Sequence, residues 1–161
     1  MSFHGRSFSD NPRALYQEMK QQDRFSDFSY VWVVRDASMR IEGAKTVKFG
    51  SLAFFYYLAK SRYWIFNCKT YPFMIRKKDQ VYLQTWHGTP LKTLGFDFME
   101  DAYVAANQKR GFLLSDVLVM PNAYTWEKIR AAYQLDQLFQ GQVLFGGYPR
   151  NAVFFQAERR E

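Results

Sequence analysis

Apolar positions along this chain gather in short runs, separated by stretches in which they recur at helical spacing. Phe28–Val34 (FSYVWVV), Thr46–Phe49, Tyr63–Asn67 and Val81–Trp86 are rich in β-branched and aromatic residues and predict strands. Val117–Met120 and Gln142–Phe145 extend the series, and Gly43 marks a turn between the first two. Elsewhere the period changes. Asp10-Asn11-Pro12 predicts a helix start with Pro near the first turn, and Leu15, Met19 and Tyr16 follow on one face. Ser51 caps a second helix through Lys60, whose continuous apolar run predicts burial against a sheet. Asp101–Leu114 predicts a third helix. Asn122 caps a fourth through Tyr133, with Ala123, Trp126, Ile129 and Tyr133 as its apolar positions. Strands alternating with helices predict an α/β fold, a doubly wound, mainly parallel Rossmann-like sheet with helices on both faces.

Composition narrows the class. A chain of 161 residues is one domain's worth and buries roughly two-thirds of its unfolded surface. With 48% hydrophobic residues, sixteen Phe and eleven Tyr, it is too apolar for disorder. The formal charge of +7 suits an anionic partner or an ordinary basic protein, and the basic residues are scattered. Their densest cluster, Arg76-Lys77-Lys78, falls in a predicted loop, and no nucleic-acid motif or contiguous basic helix accompanies it. The single cysteine, Cys68, excludes an internal disulfide and a multi-cysteine zinc site, and it reads as a small buried hydrophobe. The N-terminal segment lacks a signal-peptide core. The longest apolar run, Leu52–Ala59, is far short of the ~20 residues that span a bilayer. A cytoplasmic protein is expected, with any membrane contact peripheral. His4 lies in a segment expected to be mobile and receives no role.

Candidate chemistry concentrates at the end of the fourth strand, where Val81–Trp86 breaks into His87, Gly88, Thr89, Pro90 and Lys92. Ligands of open α/β sheets bind at the carboxyl ends of strands. There Gly88 permits a tight turn and close approach. Thr89-Pro90 has the form of an N-cap and first helical residue, so a short helix starting here would turn its free N–H groups toward a phosphate. Lys92 adds charge, and a histidine is the residue type at this corner able to accept a proton near neutral pH. The alternative is a structural His87 bonded to a backbone carbonyl. Gly146–Asn151 repeats the arrangement at a second strand end, where Arg150 is either a phosphate-gripping residue or a surface arginine of an ordinary turn.

QTWHGTPLKTLG (Gln84–Gly95) resembles the signature of the CDP-glycerol glycerophosphotransferases, bacterial enzymes that prime and polymerise teichoic-acid chains. FSDNPRALY (Phe8–Tyr16), AKSRYWIFN (Ala59–Asn67) and GGYPRN (Gly146–Asn151) resemble the same family in the same order. The resemblance implies a GT-B fold of two facing Rossmann-like halves, of which residues 1–161 form the acceptor-side half. It implies glycerol-phosphate transfer from CDP-glycerol to a lipid-linked polymer with release of CMP. His87 would be the general base, Gly88, Thr89 and Lys92 phosphate contacts, and Arg150 and Asn151 residues near the cleft mouth.

No cofactor or metal site is implied beyond the donor substrate. Implied partners are the polymer acceptor, an anionic inner-membrane surface and a C-terminal half. The chain departs from the family at Asn151-Ala152, where Asn-Asp is usual, and it stops at Glu161, where the family continues into its nucleotide-binding half. The isolated chain is therefore expected to be inactive. A non-catalytic module that binds an anionic polymer or a partner chain is the alternative.

Overall fold

The computed structural model describes residues 1–98 and 102–155. Two parallel ladders form. In the first, β1 (Val31–Val34) pairs with β2 (Lys45–Lys48), Val31 opposite Lys45. In the second, β3 (Tyr63–Phe66), β4 (Val81–Gln84), β5 (Val117–Met120) and β6 (Gln142–Phe145) lie side by side in chain order. Among the described residues four α-helices accompany them: α1 (Asp10–Lys20), α2 (Leu52–Lys60), α3 (Ala102–Leu113) and α4 (Ala123–Ala132). The α/β class with parallel strands is as expected, but the strands divide into two sheets. The expected start of the third helix, Asp101, lies outside the described residues.

Local chemistry accounts for the helix starts. The Ser51 hydroxyl accepts from Phe54 N, and Asn122 Oδ1 accepts from Thr125 N at 2.8 Å, a cap worth about 1 kcal/mol. Alternate strand residues point inward: Tyr82, Leu118 and Met120 are fully buried. Phe112, Ile129 and Leu135 pack against this side of the sheet, and Phe54, Trp64, Met74 and Tyr82 form a second cluster. Tyr16, Trp32, Val34 and Ile41 make the third, which holds α1 on the small sheet.

Three expectations fail, each for a packing reason. In α2 only Phe54 is buried, while Leu52 is 90% exposed and Phe55 and Tyr56 are exposed too, because a short helix touches its sheet along one stripe. The first strand starts at Val31, since Phe28 stacks on Tyr63 and Tyr30 packs edge-on to Tyr16. The N-terminal segment is not mobile. Phe3 N donates to Asn67 Oδ1 at 2.8 Å, and Gly5 O accepts from Arg35 N at 2.7 Å. Gly5 has φ +81°, and a Cβ there would meet Val33 O and Arg35 N at 3.2 Å, so glycine is needed. Cys68 is half-buried, and burial, followed by the nearby Asp10 charge, pushes its thiol up to about 11, which keeps it protonated.

His4 is held edge-on to Tyr71 with ring centroids 4.9 Å apart, and its Nδ1 is buried without a partner. Burial, then the charges of Lys69, Arg35 and Arg6, lower its pKa from 6.5 to about 4. Between those two values the unfolded chain binds a proton that the folded one does not. The stabilising contribution is therefore present above pH 6.5 and lost as pH falls toward 4. His4→Asn, which tolerates the positive φ of this position, is expected to flatten the fall of Tm between pH 7 and pH 4.5. Equal slopes in parent and variant, followed by circular dichroism, would remove His4 as the cause.

Candidate active site

The site is built where β3 and β4 end. β4 stops at Gln84, and the chain turns at Trp86, which takes φ +50°. A non-glycine residue in the left-handed region costs free energy unless its surroundings hold it. Here they do. Trp86 N donates to Gln84 Oε1 at 3.0 Å, Trp86 O accepts from Asn11 Nδ2 at 3.0 Å, and the indole N–H donates to Gly88 O at 2.6 Å. The indole face packs on Phe112 and sets the neighbouring His87 ring at 4.3 Å.

His87 is half-buried. Its Nδ1 lies 2.6 Å from the carbonyl oxygen of Asn67 at the end of β3. A carbonyl only accepts, so Nδ1 carries the hydrogen and the neutral ring presents Nε2 with a lone pair. Nε2 has no hydrogen-bond partner among the described residues. The imidazole is thus oriented through Nδ1, and in its neutral form Nε2 is the nitrogen that carries the lone pair.

Beneath the ring lies a polar cluster drawn from distant parts of the chain. Asp10, whose side chain is 6% exposed, accepts from Asn67 Nδ2 at 2.6 Å and forms an ion pair with the Arg150 guanidinium. Arg150 Nη1 also donates to His87 O at 2.8 Å, its backbone N donates to Asn11 Oδ1, and its guanidinium lies over the Tyr148 ring. Asn11, fully buried, donates onward to Thr85 O. The cluster clamps the Thr85–His87 backbone between α1 and the segment after β6. Thr89 Oγ1 lies 3.1 Å from Thr125 Oγ1 and 3.4 Å from the Tyr148 hydroxyl. Burial raises the pKa of Tyr148, so its hydroxyl stays protonated as a donor.

The sequence model of the CDP-Glycerol:Poly(glycerophosphate) glycerophosphotransferase family matches residues 1–161. The chain belongs to this family. It is 31% identical over 171 residues to the teichoic acid poly(glycerol phosphate) polymerase of Bacillus spizizenii, covering 99% of this chain and 42% of that protein. It is 32% identical to the teichoic acid glycerol-phosphate transferase of Staphylococcus aureus, covering 93% of this chain and 40% of the relative. The solved structure of the wall teichoic acid polymerase TagF superposes with a TM-score of 0.85 at 29% identity, covering 99% of this chain and 40% of that one. The chain thus spans about two-fifths of the length of these proteins. The agreement with TagF bears out the expected α/β, Rossmann-like, GT-B-type class.

Within this glycerophosphotransferase-family chain, His87 and Arg150 come together, and the other expected residues play altered parts. No helix starts at Thr89-Pro90: Gln84–Leu94 contains no α-helix, and a 3₁₀ turn follows at Gly95–Asp97. The anion site expected from helix N–H groups is absent there, because Thr89 is spent on Thr125 and Tyr148 rather than capping. The tight turn is made at Trp86, not Gly88. A Cβ at Gly88 would meet nothing within 4 Å, so Gly88 itself borders open space. Lys92 is exposed and forms no ion pair among the described residues. Arg150 is engaged by Asp10 rather than free, and Asn151 is exposed, its backbone N donating to Tyr148 O at 2.8 Å.

Asp10, Asn11 and Asn67 were missed as site residues. Asp10 and Asn11 carry the local signature of a helix start, and that reading exhausts it. Asn67 had a usable signal: a polar residue ending an apolar strand sits at the rim where such sheets bind ligands. No helix of the described residues is long and apolar enough to cross a membrane.

Proposed function

We propose that this chain is the acceptor-side, base-bearing unit of a transferase moving glycerol phosphate from CDP-glycerol to a lipid-linked teichoic-acid or related polymer. Its family and the names of its relatives support glycerol-phosphate transfer. The observation that carries the role of this chain is the oriented His87 ring, with Nδ1 bonded to Asn67 O and Nε2 without a partner among the described residues.

In the reaction, Nε2 takes the proton of the acceptor hydroxyl as its oxygen bonds to the β-phosphorus. The bond from that phosphorus to the bridging oxygen breaks, and CMP leaves with the oxygen. Lys92, exposed and without an ion pair among the described residues, is the cation available to the phosphate, and Arg150 acts as a positioning residue through the His87 backbone. The donor nucleotide is held by a second, C-terminal unit facing this one. A cavity of about 600 Å³ elsewhere in the fold includes none of His87, Gly88, Thr89 or Arg150.

Two results are expected. The 161-residue chain alone releases no CMP from CDP-glycerol, and addition of a family C-terminal portion restores release; turnover by the chain alone at enzyme-like rates would contradict this division. Membrane association is electrostatic, from the +7 charge, so binding to anionic vesicles should weaken steeply between 50 and 500 mM salt (about 14 to 4 Å of screening length). Binding that ignores salt would exclude that mode.

A further inference from the structure

Cations without a carboxylate partner gather at the His4 corner. Arg35 is the fixed member. Its backbone N donates to Gly5 O, its Nε to His4 O at 3.1 Å and its Nη2 to the Tyr71 hydroxyl at 3.2 Å, while the guanidinium lies over the Phe49 ring. Nη1 has no partner among the described residues. Arg6 follows Gly5 directly, and Lys69 stands between Asn67, which accepts from Phe3 N, and Tyr71, which packs on His4. The Arg6 side chain is exposed and that of Lys69 half-buried, and neither forms a hydrogen bond or ion pair among the described residues. After burial, the charges of Lys69, Arg35 and Arg6 hold down the His4 pKa, and the Arg6 charge reaches Cys68 as well.

Nothing acidic offsets these charges. The chain carries no Asp or Glu before Asp10 and none between Glu42 and Asp79. The neighbouring carboxylates are engaged: Asp10 pairs with Arg150 and accepts from Asn67, and Asp36, next to Arg35, accepts from the Ser38 N–H and hydroxyl. Like charges that a fold holds together repel one another, and an anion between them relieves that repulsion. A guanidinium already fixed by its neighbours loses little freedom when it grips a phosphate.

The cluster borders the proposed base. Phe3 packs edge-on to the His87 ring with centroids 5.8 Å apart, and His87 Nδ1 bonds to the carbonyl of Asn67, two residues before Lys69. A glycerol-phosphate polymer ends in a hydroxyl and carries its first phosphodiester one glycerol further back. We propose that Arg6, Arg35 and Lys69 form a subsite for the phosphodiester next to the acceptor hydroxyl. This rests on the acceptor-side reading of His87 and adds what selects the acceptor: a chain end that already bears a phosphodiester.

The test measures binding of soluble, lipid-free poly(glycerol phosphate) to the 161-residue chain. Arg6→Gln and Lys69→Gln are each expected to weaken binding about three- to tenfold, the worth of a charge-assisted contact to phosphate. Both side chains are unbonded in the fold, so neither change disturbs packing. Lys128→Gln, which removes the same charge from α4, is expected to leave binding near the parent value. Titration of the His4 ring by NMR locates the polymer: its binding should raise the His4 pKa from about 4 toward 6.5, because a nearby anion favours the imidazolium. Four outcomes would overturn the subsite. The polymer does not bind; the three variants weaken it equally, which makes the attraction diffuse; the polymer binds and the His4 titration stays in place; or vesicles of phosphatidylglycerol, which bear the same phosphodiester, engage Arg6 and Lys69 where the soluble polymer does not. Each is read from binding, so the role of His87 is still judged by CMP release alone.

Discussion

His87→Ala, placed in a polypeptide that includes the remaining length of the family, is expected to lower CMP release by about 10²–10⁴-fold, the range for removing a positioned general base. The loss should fall on turnover more than on folding, since the ring makes one side-chain hydrogen bond, to Asn67 O, and packs on Trp86. His87→Gln separates the two roles: its amide can donate to Asn67 O and support the corner, yet it takes no proton. Thermal stability close to the parent with turnover as low as in the alanine variant identifies the base. Retention of activity within about threefold in either variant would leave His87 a structural residue bonded to a carbonyl and would move the catalytic centre elsewhere.

The second large effect belongs to Asp10. Asp10→Ala removes the acceptor of Asn67 Nδ2 and the counter-charge of Arg150 together. Breaking a fully buried ion pair costs about 3–5 kcal/mol. Arg150 is 34% exposed, so water offsets part of that cost, and about 2–3 kcal/mol is expected. For a domain of this size that lowers Tm by roughly 5–10 °C. Asp10→Asn keeps the side-chain shape and tolerates φ +61°, so it should fall between parent and Asp10→Ala. A double-mutant cycle with Arg150→Ala measures the coupling directly. Additive effects would show that the two side chains touch without stabilising one another. Because Arg150 also holds the His87 carbonyl, Asp10→Ala should depress turnover beyond what stability explains, and Arg150→Lys should not restore it, lacking the planar fork.

Much of the scaffold was legible in the pattern of residues. β5 and β6 occupy the runs that predicted them, and Ser51 and Asn122 cap as their positions implied. Local signals failed where two outcomes were locally equivalent. Thr89-Pro90 has the form of a helix start, but the Thr89 hydroxyl finds Thr125 and Tyr148 instead. Leu52–Ala59 is apolar enough to be core, yet only Phe54 meets the sheet. The N-terminal segment has little periodicity, and its order comes from bonds to Asn67 and Arg35, far along the chain.

The sequence by itself determined the α/β alternation, the helix caps and the placing of His87 just past a strand end, because each depends on residues within a turn or two of one another. Only the tertiary structure decided that Asp10, Asn67, His87 and Arg150 share one network, with Asp10 and Arg150 separated by 140 positions. It alone showed which ring nitrogen is left free and that the strands divide into two sheets. Partners that far apart meet only when strand order and packing bring them together, and no local propensity encodes that meeting.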